Sequence, residues 1–305
     1  MKYWFIRRIS AIMAIFLFAF IPVSNAQPYD VTEPEACNFN FTVLSDVHIE
    51  GNQFIRCQIY GKMLQDIKKN KSGNDALVFL GDNVMNGQHI ESMLFYGLTN
   101  LYRPANRVIN TVGNHDIGNG NGDMKKLYNR FYSYSNTFFN LDIDTPYYCK
   151  VIDGYYFIVL GTESQTVHDF DISEQQIDWL RTVISSAKST GKPAFVFCHY
   201  DYDYADYGKA KELVDILTSY ENVFYFHGHN HAPMFGWNFS NYDGIKQINI
   251  SNCTDYYEEN HKKLPGINAG IGLNVEIYDG KVVMRTRDFY NGEWLEDIQH
   301  TYTIK

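Results

Sequence analysis

Five short polar segments, each set just behind a run of apolar residues, constrain this chain more than anything else in it. They are Asp46-Val47-His48, Gly81-Asp82-Asn83, Gly113-Asn114-His115-Asp116, a lone His199, and Gly228-His229-Asn230-His231. The runs before them are short and rich in β-branched and aromatic residues, the composition of buried strands. Four of the five begin where such a strand should end, and His229 and His231 follow one closely. In an open α/β sheet the carboxyl ends of the strands form one edge, where ligands bind. A fold that aligns these strands therefore gathers Asp, His and Asn side chains that are far apart in sequence.

The pattern between the segments fits such a fold. Strands are expected over 39–45, 76–80 and 107–112, with helices over 53–69 (Ile55, Ile59, Met63 and Ile67 at helical spacing) and 89–102. This β-α-β-α-β order implies a largely parallel sheet. Strands over 147–152 and 155–161 flank Asp153-Gly154, a hairpin signal. Ser173-Glu174-Gln175-Gln176 reads as a capping box opening a helix to about residue 188. Apolar strands follow over 193–198 and 222–227, with a helix near 208–219 between them. The C-terminal part is β-rich: 246–250, 273–278 and 281–287, the last two joined by Asp279-Gly280. Mixed strand order in one chain suggests an α/β fold of two packed mixed β-sheets flanked by helices. No linker divides residues 27–305, which read as a single domain.

The first 26 residues have a different character. Lys2, Arg7 and Arg8 precede a nearly unbroken apolar run over 9–23, and Ser24-Asn25-Ala26 supplies small residues for cleavage. This is the layout of a secretory signal peptide, cut near Ala26, and it implies export to a periplasmic or extracellular space. The run is shorter than the roughly 20 residues a membrane-spanning helix needs. Removing the three basic residues of the leader leaves 23 basic side chains against 35 acidic, a net charge of −12. A nucleic-acid-binding module needs a basic face, so the balance argues against one. It does not exclude phosphate substrates, because bound metals dominate local charge. Export permits disulfides, but the five cysteines are odd in number, and none are spaced as a zinc-binding Cys-x-x-Cys pair. Cys198, inside an apolar strand, reads as a buried free thiol.

The chemistry of the segments points to metal. A carboxylate has two oxygens and can hold two cations. Neutral imidazole and an amide oxygen add ligands without adding charge, which leaves a metal Lewis acidic. Two divalent metals a few ångströms apart can clamp a phosphate and supply a nucleophile at neutral pH. Each segment alone has a bland reading: Gly, Asn and Asp favour turns, and a strand-end His often just meets a backbone carbonyl. Their joint occurrence is what favours a metal site. His227, on the strand before Gly228, reads as packed or hydrogen-bonded instead.

The ordered set Asp-x-His, Gly-Asp, Gly-Asn-His-Asp, lone His and Gly-His-x-His resembles that of the calcineurin-like metallophosphoesterase family, from Asp46 to His231. The resemblance implies a four-layer α/β/β/α sandwich and a dinuclear centre of two divalent transition metals, Mn, Fe or Zn. It implies Asp46, His48 and His231 as ligands of the first metal, Asn114, His199 and His229 as ligands of the second, and Asp82 as the bridge. His115 is then expected to face the phosphate, as acid for the leaving oxygen or as a donor to it. Asp116 is expected to orient the His115 imidazole. The implied activity is hydrolysis of a small-molecule phosphate mono- or diester by attack of a metal-bridging hydroxide. The purple acid phosphatase branch carries a Tyr where this chain has Met85, and a Gly where it has His48, so an iron-tyrosinate centre is not expected.

The substrate pocket is less legible. A Tyr/Asp-rich stretch from Tyr200 to Tyr207 follows His199 and is expected to form a loop beside the metals, and the Gly/Asn-rich 118–122 is expected at the rim. Two other classes of function remain open from sequence: a non-catalytic scaffold of the same fold, and a surface-glycan-binding protein using the aromatic loop.

Overall fold

The structure is a computed structural model and describes residues 28–69, 74–165, 167–234, 236–253 and 269–305. The expected signal peptide and its cleavage site lie outside the described residues. The chain opens with β1 (Phe39–Leu44), α1 (Phe54–Lys68), β2 (Ala76–Phe79), α2 (His89–Tyr102), β3 (Val108–Asn110) and α3 (Met124–Phe139). It continues with β4 (Tyr148–Ile152), β5 (Tyr155–Val159), α4 (Glu174–Lys188), β6 (Ala194–Phe197), α5 (Tyr207–Thr218) and β7 (Val223–His227). It closes with β8 (Phe239–Tyr242), β9 (Ile245–Asn249), β10 (Ile271–Tyr278), β11 (Lys281–Asp288) and β12 (Glu293–Thr303).

Two six-stranded mixed sheets result, in the orders β12-β11-β10-β1-β2-β3 and β4-β5-β6-β7-β9-β8. The expected architecture is the one observed: sheet on sheet, with helices on both outer faces. The parallel parts do the positioning. Leu44 pairs with Phe79 and Phe79 with Asn110 in the first sheet. Phe197 pairs with Phe226 and His227 with Asn249 in the second. The carboxyl ends of these strands are thus level within each sheet.

Strand alternation divides the apolar side chains between two layers. Phe41, Val43 and Val78 face Phe157, Phe195, Phe197 and Phe226 across the sheet-to-sheet core. Phe41 is fully buried, with ring centroids 5.0 Å from Phe157 and 4.9 Å from Phe195, both edge-on. Leu44, Leu77 and Phe79 point the other way, to Tyr60, Leu64, Phe95 and Phe138 of the helical layer. On the far sheet Ile158, Val196 and Tyr225 meet Ile177, Leu180 and Leu213.

Three elements were not anticipated from sequence: α3, β8 and β12. The capping box expected at Ser173 is only half made. Ser173 Oγ accepts from the Gln176 amide at 3.2 Å, but the Gln176 side chain turns to the backbone of Gly161, at 3.1 and 3.0 Å, and so ties α4 to the end of β5. All five cysteines are free thiols, with Cys198 buried. Among the described residues, no helix is long and apolar enough to cross a membrane.

Candidate metal centre

Beyond the strand ends the ligand-bearing loops continue to hydrogen-bond to one another. The Asp46 amide donates to the Gly81 carbonyl at 3.1 Å and the His48 amide to the Asp82 carbonyl at 2.9 Å, and across the second sheet the Gly228 amide donates to His199 at 3.0 Å. The turns are tight. Asp46, His48, Asp82, His229 and His231 all have φ between 49° and 70°, a region that residues other than glycine seldom occupy. Such backbone costs about 1–3 kcal/mol each and persists where surrounding packing fixes it, often at functional sites. Two glycines permit the approach. A Cβ on Gly113 would collide with the Asp82 carboxylate, and one on Gly228 would meet Ser45 Oγ and lie 2.6 Å from Asp46 Oδ2.

The structure brings Asp46, His48, Asp82 and His231 into one group and Asp82, His199 and His229 into a second, with Asp82 common to both. Each carboxylate divides its oxygens. Asp46 Oδ2 accepts from Ser45 Oγ and, at 3.2 Å, from the His229 amide, while Oδ1 faces His231 Nε2 at 3.2 Å and His48 Nε2 at 3.7 Å. Asp82 Oδ1 accepts from the His115 amide at 2.8 Å, while Oδ2 lies 3.2 Å from His199 Nε2 and 3.8 Å from His48 Nε2. A single atom, Oδ2, faces both groups because the other oxygen holds the third loop.

Ring nitrogens also point at each other: His48 Nε2 and His231 Nε2 are 3.0 Å apart, and His229 Nδ1 and His199 Nε2 are 3.2 Å apart. Two imidazoles this close need a proton or a cation to share. Burial alone would raise the Asp46 and Asp82 carboxyls, but the imidazoles of His231 and His199 override it and hold both carboxylates well below their ordinary range. Burial likewise pulls His199 down, and Asp82 overrides it, pushing His199 up to about 9. His231 is raised by Asp46 against burial. Burial and the charge on His199 push His229 down to about 4, and burial lowers His48. The Asp82 and Asp46 carboxylates thus favour positive charge at His199 and His231.

Asn114 sits on the third loop. Its amide nitrogen donates to Asn119 Oδ1 at 2.9 Å, and the Asn119 amide returns a 2.7 Å bond to the Asn114 carbonyl. This leaves Asn114 Oδ1 buried and without a hydrogen-bond partner. Buried polar atoms are nearly always satisfied, so this orphaned oxygen, with the two carboxylates and the facing imidazoles, fits divalent cations at this place. Asn119 was not singled out from sequence. Its signal was the left-handed Asn of a Gly-Asn-Gly turn, which also reads as a plain loop.

The role expected of Asp116 is corrected. His115 Nδ1 meets the Met85 carbonyl at 2.7 Å, so a backbone carbonyl orients the ring. The Asp116 carboxylate instead accepts from the backbone N–H groups of Gly113 at 2.9 Å, Asn83 at 3.1 Å and Val84 at 3.3 Å. It clamps the second loop to the third. The His199 ring is set the same way as His115, by the Leu80 carbonyl at 2.8 Å from Nδ1.

The 200–207 stretch does lie beside the site, but its tyrosines differ. Tyr200 is buried, stacked on Phe170 and 4.7 Å from the His229 ring. Tyr202 is buried with its hydroxyl on Asp243, and Tyr207 is exposed. Tyr204, half-buried, stands edge-on to His229 at 5.2 Å and lines a cavity of about 790 Å³ with Asp169, Asp171 and Asp203.

Residues 39–233 match a family model described as calcineurin-like phosphoesterase. The fold is similar to a dimetal phosphatase from Danio rerio, with a TM-score of 0.60, 15% identity, and coverage of 88% of this chain and 100% of that one. It is also similar to a purple acid phosphatase from yellow lupin seeds, with a TM-score of 0.55, 12% identity, and coverage of 87% of this chain and 53% of that one. No significant match is found among curated protein sequences.

Proposed function

Because the chain belongs to the calcineurin-like phosphoesterase family, we propose that it is an exported, dinuclear metal-dependent hydrolase of small phosphate esters. The observation that carries this reading is the pair of donor groups meeting at Asp82 Oδ2. On this reading Asp46, His48, Asp82 and His231 hold one divalent cation, and Asp82, Asn114, His199 and His229 hold the other. When bound, the two cations lower the pKa of water and neutralise charge on the phosphoryl oxygens.

The chain's own residues do the rest. Ser45 and the His229 amide fix Asp46, and the His115 amide fixes Asp82, so the ligands are set before substrate arrives. His115 carries a proton at Nδ1, held by the Met85 carbonyl. Nε2 is then the atom left to serve the ester, and as donor to a phosphoryl oxygen or acid for the leaving alcohol it acts from the imidazolium, which carries a second proton on Nε2. Asp116 positions both ligand loops. The intact donor set disfavours the scaffold reading. Residues 27–305 act as one domain in this proposal, with residues 1–26 removed on export.

The test is a panel of phosphate monoesters, diesters and cyclic nucleotides, offered to metal-free protein reloaded separately with Mn, Fe or Zn. Hydrolysis that returns with metal and is abolished in Asp82→Asn supports the reading. Metal-independent turnover, or full activity in Asp82→Asn, overturns it. The His115 role is tested by leaving group: His115→Ala should lose more on alkyl than on activated aryl esters. Mass spectrometry of secreted protein beginning at Gln27 would support the leader assignment.

A further inference from the structure

A second cavity, of about 290 Å³, is lined by residues close in sequence to the proposed metal ligands of the second sheet. Every residue lining it carries a polar side-chain group, and none is Lys or Arg; Asp201, His227, Asn230, Tyr242, Gln247 and Asn249 are among them. His227 ends β7 and Asn249 ends β9, neighbours in register. Asp201 stands two residues beyond His199, and Asn230 lies between His229 and His231. At about 3.3 Å per extended residue, the cavity wall begins within about 7 Å of three metal-ligand positions along the chain.

Three buried polar atoms at this cavity have no hydrogen-bond partner: Asp201 Oδ1, His227 Nδ1 and Asn249 Oδ1. His227 and Asn249 are 2% and 6% exposed. Gln247 fixes the chemistry of the group. Its amide nitrogen lies at Asp201 Oδ2 and at His227 Nε2, the latter at 2.9 Å. An amide oxygen in that place would face a carboxylate, so the nitrogen assignment stands. Nε2 of His227 then accepts, and its ring proton sits on Nδ1. The cavity thus offers two unmet acceptors, one of them on a carboxylate, and one unmet donor.

We propose that this cavity receives the alcohol part of the ester, and that the part it fits is polyhydroxylated, a sugar or polyol. This rests on the hydrolase reading of the metal centre. A hydroxyl both donates and accepts, so neighbouring hydroxyls can answer Asp201, Asn249 and His227 together. An ammonium group would leave the His227 N–H unmet, and an alkyl chain would leave all three unmet. Tyr242, exposed at the rim, offers a flat face to a sugar ring.

The test uses the full, metal-loaded protein with a hexose 6-phosphate, hexyl phosphate and 4-nitrophenyl phosphate, each also as its methyl diester. A site built to hydrogen-bond hydroxyls should prefer the hexose ester to the hexyl ester by about 100-fold or more in kcat/KM. Asn249→Leu and Asp201→Asn should each cost the hexose ester at least about tenfold more than the 4-nitrophenyl ester. No preference in the native protein, or equal losses on both esters, overturns the proposal. Asp201 is partly exposed, so its variant stays informative if the buried Asn249 variant does not fold. If no ester is cleaved under any metal, the hydrolase reading alone fails. Ligand-observed NMR with the hexose 6-phosphate then decides the subsite. Binding weakened in either variant supports it, and equal binding or none in the native protein overturns it.

Discussion

The two sheets bring different chemistry to the same edge. The first supplies both carboxylates, Asp46 and Asp82, with the Asn114 amide and His48; the second supplies imidazoles only, His199, His229 and His231. Neither half is a metal site alone, and each donor group draws on both sheets. The lesson is that the centre belongs to the packing of the sheets, not to either of them. Positive φ at the ligand turns and the glycine contacts between loops are affordable only because an aromatic core holds the sheets together beneath them.

Asp82 is common to both donor groups, so changing it should have the largest effect. Asp82→Asn should lower metal content at both places and turnover by about 10³-fold or more. His229→Ala should empty only one place, which metal analysis would distinguish. Next comes the core. Phe41→Ala should cost about 3–5 kcal/mol of stability, and chemical denaturation followed alongside metal content should show both falling together. If metal affinity stays native in that variant, the sheets do not set the site.

A smaller effect is expected at Asp116. Asp116→Ala should weaken metal binding about 10–100-fold, as loss of a supporting contact does, with the dependence of rate on leaving group unchanged. A changed leaving-group dependence would restore the role of Asp116 in orienting His115. The gentlest probe is pH. Metal binds neutral imidazole, and metal-free His199 is protonated below about 9. Affinity should therefore be greatest above that value and fall by up to about tenfold per pH unit below it for that proton. Chelator competition at several pH values reads this directly, and a pH-independent affinity would contradict it.

Much of the fold was legible because its strands are buried on both faces. Runs such as 39–45 and 222–227 have only one sensible fate, and most elements stand within a residue or two of expectation. The omissions have separate reasons. β12 is a polar edge strand, with exposed residues interrupting Leu295, Ile298 and Tyr302. α3 did carry a helical signal, in Leu127, Tyr128, Phe131, Tyr134 and Phe138, and an N-cap in Asp123, which accepts from the Lys126 amide at 3.0 Å. Its tyrosines and asparagines obscured the apolar stripe. At the site, donor types and their order were readable, but supporting contacts were not. Asn119, the Leu80 and Met85 carbonyls, and the Asp116 clamp depend on neighbours 3 to 119 residues away.

By itself, the sequence determined which donors exist and that each follows a strand, since strand composition and motif order are local properties. Tertiary structure alone decided that Asp82 presents one oxygen to both groups, that Asp116 serves the loops rather than His115, and that Asp201, His227 and Asn249 share a cavity. The reason is range. Spacing along the chain fixes which face a residue occupies. Which atom of a carboxylate is free depends on what the rest of the chain donates to the other atom.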